Sequence, residues 1–226
     1  MTTGITMSIT AAAQTTTVAV DTGFGSVELG NGGDSAVDDA DGSPAEISVD
    51  HGPRLTGLTF ADGDDSSGNS IKYTSPSING LVVSATRGFD DGTNAATNSV
   101  AATYSLMGVS LAAGVTSLDV KAAGAADTDP SFFTAAYSIA GLNLGYAVYD
   151  NDVATGDEET QIGVNTDMMG LTVGATFAEQ DTNTTDVDAT LFVVQKSMGP
   201  MGFSFEYLEL DPSDTTASTD TLSFTY

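Results

Sequence analysis

The chain has 226 residues, a formal charge of −26 from 5 Lys+Arg against 31 Asp+Glu, and no cysteine. That charge excludes a nucleic-acid partner, which needs a basic face to neutralise phosphates, and the missing thiols exclude a disulfide framework and thiolate metal sites. No apolar run approaches the roughly 18 residues of a transmembrane helix, and Met1-Thr2-Thr3-Gly4 lacks the basic and apolar regions of a signal peptide.

Taken in order, the chain alternates with period two. Ile5, Met7, Ile9 and Ala11 are interleaved with Thr6, Ser8 and Thr10. The same pattern recurs in Val109–Thr116, Leu142–Tyr149, Leu171–Ala178 and Thr221–Tyr226. A strand sends successive side chains to opposite faces, so each segment has one apolar face and one small, mostly polar face. Strands are predicted at 4–14, 15–22, 25–32, 70–77, 80–88, 98–107, 108–118, 131–140, 141–150, 160–169, 170–179, 187–197, 202–210 and 220–226.

Two kinds of turn alternate between them. Tight turns centre on Gly80, Gly108, Gly141, Gly170 and Gly202, spaced by 28, 33, 29 and 32 residues. Long acidic loops are predicted at 89–98, 119–130, 150–160, 179–188 and 211–220. A continuous apolar face, aromatics near strand ends (Tyr104, Tyr137, Phe177, Phe203, Tyr226) and short turns opposite long loops predict an all-β, transmembrane antiparallel β-barrel of about 14 strands. The expected organisation is one barrel over residues 1–226.

The segment from Asp34 to Asn69 breaks the alternation. It carries Asp34, Asp38, Asp39, Asp41, Glu46, Asp50, Arg54 and the single histidine, His51. A loop this long inside a compact domain is more often functional than incidental, and it is expected to fold into the barrel as a constriction. Ser43-Pro44-Ala45-Glu46 has the form of a capping box and predicts a helical turn near 44–48.

Three motifs resemble the general bacterial porins of Gram-negative outer membranes. Phe24-Gly25-Ser26-Val27-Glu28-Leu29-Gly30 is similar to the strand that leads into that family's constriction loop. Ile71-Lys72-Tyr73-Thr74-Ser75-Pro76, followed by Asn79-Gly80, is similar to the strand after it. The terminal Phe224-Thr225-Tyr226 resembles the aromatic signal read by the barrel-insertion machinery. The resemblance implies sixteen strands, a homotrimer, contacts with outer-membrane lipids and lipopolysaccharide, and a passive water-filled channel for ions and small hydrophilic solutes. Aligned in this way the chain covers roughly strands 3 to 16 of the family; a shortened chain and a smaller barrel both fit. Where the family often has an arginine after its Leu-Gly pair, this chain has Asn31.

The expected pore wall near the loop is Glu28, Asn31 and Lys72, and with so few basic residues the pore is expected to prefer cations. One histidine removes His-based triads and multi-His metal centres, so no catalytic residue and no cofactor is expected. Asp38-Asp39-Ala40-Asp41, Asp62-Gly63-Asp64-Asp65 and Asp157-Glu158-Glu159 offer oxygen ligands for loose Ca2+ binding, without EF-hand spacing. The alternative reading is a secreted or surface-layer acidic β-protein with a structural or adhesive, calcium-bound role.

Overall fold

The computed structural model describes residues 4–10, 15–31, 35–42, 56, 69–89, 96–118, 128–152, 157–182, 186–198, 201–213 and 219–225. Among them are fourteen strands: β1 (Gly4–Thr10), β2 (Thr15–Thr22), β3 (Gly25–Asn31), β4 (Asn69–Thr74), β5 (Leu81–Gly88), β6 (Thr97–Leu106) and β7 (Val109–Leu118). The second seven are β8 (Ser131–Ile139), β9 (Leu142–Asp150), β10 (Glu158–Met168), β11 (Leu171–Asp181), β12 (Val187–Met198), β13 (Met201–Pro212) and β14 (Thr219–Thr225). They form one sheet in which every strand neighbours the next in sequence.

Four of the five tight turns are where the glycines predict them; Gly202 instead lies within β13, opposite Ser197. Asn79-Gly80, Met107-Gly108, Ala140-Gly141 and Met169-Gly170 all have positive φ at both residues. That is the type I′ geometry, whose twist matches that of antiparallel strands. At Gly80 space adds to the requirement, because a Cβ would sit 2.3 Å from the Ser105 carbonyl oxygen.

Strand ends depart from the sequence prediction in a consistent direction. β4 stops at Thr74, two residues before Pro76, which has no amide hydrogen to give a ladder. At the opposite ends the strands run further than expected: β10 begins at Glu158, β11 reaches Asp181 and β13 reaches Pro212. The acids there read as loop, yet they pair across strands.

The chain divides into two compact units. The first comprises Met1–Asp41, Ala61–Leu106 and Ala112–Phe132. Within it β1 to β6 pair antiparallel in succession, with Val27 opposite Tyr73, Glu28 opposite Lys72 and Lys72 opposite Thr86. The second comprises Gly42–Phe60, Met107–Leu111 and Phe133–Tyr226. Within it β9 to β14 pair in the same way, with Ile162 opposite Phe177 and Gln161 opposite Ala178.

Burial is inverted relative to a water-soluble sandwich. Ile162, Phe177, Phe192 and Phe205 are 58%, 51%, 48% and 48% exposed, whereas Gln161, Thr176 and Glu206 on the other face are fully buried. The rings of Phe177 and Phe192 meet edge to face, with centroids 6.4 Å apart at 86°. Large apolar side chains turned outward on strand after strand require an apolar surrounding, as in lipid.

The covered face is not uniformly small and polar, as the alternation predicts. On β11 to β13, Ala178, Ala189, Leu191, Val193 and Leu208 form a buried apolar cluster with Leu210 packed against it. The sequence sign is Leu191-Phe192-Val193-Val194, where the two-residue period lapses and both faces of β12 are apolar.

Candidate pore constriction

After β3, residues 36–40 form a turn within the segment from Asp34 to Asn69. Ser35 caps it: its Oγ accepts the Asp38 amide at 3.0 Å and its carbonyl accepts the Asp39 amide at 3.1 Å. The Val37 carbonyl accepts the amides of Ala40 and Asp41, each at 2.9 Å. This single helical turn is not among the predicted elements, although Ser35-Ala36-Val37-Asp38 follows the same Ser-x-x-acid form as Ser43 to Glu46. The turn predicted near 44–48 lies outside the described residues, as do Asp34, Glu46, Asp50, His51, Arg54 and the Asp62–Asp65 cluster.

Ser35, Ala36 and Val37 are buried, and the acids that follow are half-buried or exposed. The Ala36 amide donates to Ser99 Oγ on β6 at 3.2 Å. The turn therefore sets an apolar side, Ala36 and Val37, against the covered face of its unit, while its acids stay half-buried or exposed. On that same face Lys72 Nζ donates to Asp39 Oδ2 at 2.8 Å. Lys72 stands opposite Glu28 on β3, so the three predicted site residues Glu28, Asp39 and Lys72 share one neighbourhood. With the Lys72 and Asp39 side chains 13% and 42% exposed, the ion pair contributes about 0.2–1 kcal/mol. Asn31 pairs with Asn69 through the backbone.

The other basic residues within the described strands turn outward. Arg87 lies in phase with Ile71 and donates to the Asn98 side chain across the strand pair. Lys196 lies in phase with Phe192 and Val194 and is exposed.

In the second unit a described loop residue also meets the covered face. Thr56 Oγ1 donates to Glu159 Oε2, and Gln161 Nε2 donates to the other oxygen of that carboxylate. Elsewhere on this unit's strands Asn143 Nδ2 donates to Asn165 Oδ1 at 2.8 Å, and Ser204 Oγ donates to Glu206 at 2.8 Å. The cluster Asp157-Glu158-Glu159 does not converge as one ligand set. Strand alternation turns Glu158 outward and buries Glu159, which sends their carboxylates to opposite faces. The contacts of Ser99, Glu159 and Thr56 are not legible in the sequence, because each joins residues far apart along the chain.

Outward apolar faces, a polar covered face and type I′ hairpins at one end define a membrane β-barrel of the channel-forming kind. The sequence places it among the Gram-negative porins: a family model of that description matches residues 3–226, and the chain belongs to that family. None of the curated proteins matches the sequence. Solved structures of the same fold include the anion-selective porin from Comamonas acidovorans, with 16% identity and a TM-score of 0.74 over 93% of this chain and 72% of that one. A double variant of the Rh. blastica porin matches with 19% identity and a TM-score of 0.70, covering 93% and 75%. A porin refined at 1.8 Å matches with 18% identity and a TM-score of 0.67, covering 97% and 89%. The chain is thus an outer-membrane β-barrel of a family of passive diffusion channels, which sets aside the surface-layer reading.

Proposed function

We propose that the barrel over residues 1–226 is a water-filled pore that prefers cations, narrowed by the segment from Asp34 to Asn69. The observation that carries this reading is the Asp39–Lys72 pair. Lys72 is the basic residue expected on the pore wall, and its charge is already matched by a carboxylate of the turn. The remaining field follows from 31 acids against 5 basic residues, and acidic rings in a pore favour cations. The Comamonas acidovorans porin is anion-selective. At 16% identity the two share a fold and not a set of wall charges, so its selectivity does not carry over.

The reading extends to the assembly. The pore works as a homotrimer in contact with lipopolysaccharide, and the last strand, with Phe224 and Tyr226, addresses the chain to the insertion machinery. Loose Ca2+ binding belongs to the acidic outer rim.

The test is the variant Asp38→Asn/Asp39→Asn/Asp41→Asn, reconstituted in planar bilayers. Its reversal potential in a salt gradient is expected to move toward the non-selective value. Unchanged selectivity would put the constriction elsewhere, and insertion without grouped triple steps in conductance would count against the trimer.

A further inference from the structure

Gly114 lies in the middle of β7, where a glycine weakens a strand unless something needs its space. Its backbone is not the reason for it, because the positive-φ glycines of the described chain are Gly25, Gly80, Gly108, Gly141 and Gly170. Its surroundings are. A Cβ at Gly114 would lie 2.6 Å from Phe132 Cε1, 2.9 Å from Val37 Cγ2 and 3.1 Å from the Val100 carbonyl oxygen. Val37 is fully buried and Phe132 nearly so.

We infer that Gly114 is a positioning residue for the pore. The notch left by its missing side chain seats Val37, and that seat fixes where Asp38, Asp39 and Asp41 stand. The inference rests on the reading of 34–69 as the constriction. Val37 is the pivot of its turn, since its carbonyl holds the amides of Ala40 and Asp41. The bond from Ala36 to Ser99 ties the residue before it to β6. Displacing Val37 therefore moves the acids together. The Asp39–Lys72 pair is a looser hold, because a long lysine side chain can follow its partner. A methyl on Gly114 must push back either the Phe132 ring or Val37, since close-packed interiors leave no slack.

The experiment compares full-length Gly114→Ala and Gly114→Val with wild type by single-channel recording and reversal potential. Gly202→Ala is the control, as a Cβ there meets nothing within 4 Å. The valine variant is expected to shift the reversal potential toward zero and to change the open-channel conductance. Alanine should act in the same direction more weakly, Gly202→Ala should match wild type, and adding Val37→Ala to Gly114→Ala should restore selectivity. A merely structural role would not give that rescue. Wild-type conductance and selectivity in Gly114→Val would overturn the inference. If the glycine variants do not insert, Val37→Ala alone carries the test: a noisier, less cation-preferring pore supports the seat, and a wild-type trace refutes it. The Asp38/Asp39/Asp41 triple variant separates the two ideas. Should it alter selectivity while the seat variants do not, the seat is wrong and the constriction stands; should it also leave selectivity unchanged, the constriction reading fails first.

Discussion

On β3 to β5 the covered face carries Glu28, Lys72 and Thr86, with an ion pair to the first turn of the loop. On β11 to β13 the same face is closed by Leu191, Val193 and Leu208 around two alanines. The outward faces differ too. In the first unit Arg87 meets the neutral Asn98. In the second, acids stand directly opposite acids: Glu158 faces both Asp150 and Asp181, and Asp188 faces both Glu179 and Asp211. Lipid dictates only the apolar outward band, so both units share it. The covered face answers to whatever lies against it, and there the two units diverge.

The largest effect expected from this contrast is at Leu191. Leu191→Ala should destabilise the folded protein by about 2–5 kcal/mol, read from urea unfolding in lipid vesicles. Lys72→Met, which breaks an ion pair to a partly exposed carboxylate, should lose only about 0.2–1 kcal/mol. Equal losses would erase the distinction between an apolar and a charged covered face.

The acidic rungs come next. Like charges directly opposite one another on adjacent strands repel, so Glu179→Gln with Asp188→Asn should raise stability by roughly 0.5–1 kcal/mol. Salt screens exposed charges, so the gain should shrink between low and high ionic strength. A gain that is independent of salt would mean that the repulsion is not its source.

The smallest effect concerns the hairpins. Met169 is 96% exposed with φ 55°, a conformation that L-residues other than asparagine and aspartate adopt at a cost. Met169→Asn should gain roughly 0.5 kcal/mol. A loss at this site would mean that the methionine has contacts in the membrane-embedded protein that outweigh the strain.

How far the sequence is legible follows the same divide. Alternation and glycine turns disclose the strands because the lipid-facing band imposes period two on both units. Strand ends at Glu158, Asp181 and Pro212 escape notice, since acids read as loop although the ladder continues through them. The apolar closure of β12 shows only as a lapse in the period at Leu191–Val194. Asp39 and Lys72 are recognisable as candidate site residues from charge and strand phase. Their pairing is not, nor is the seat made by Ser99, Gly114 and Phe132 for Ala36 and Val37. The ion pair spans 33 positions and the bond from Ala36 to Ser99 spans 63, and nothing local in the sequence marks either.

The central claim is that the paired Lys72 leaves an acidic pore. Its most direct test is the reversal potential of the wild-type protein in a KCl gradient across a planar bilayer. The account predicts the sign of a cation-selective channel. An anion-selective potential would contradict it.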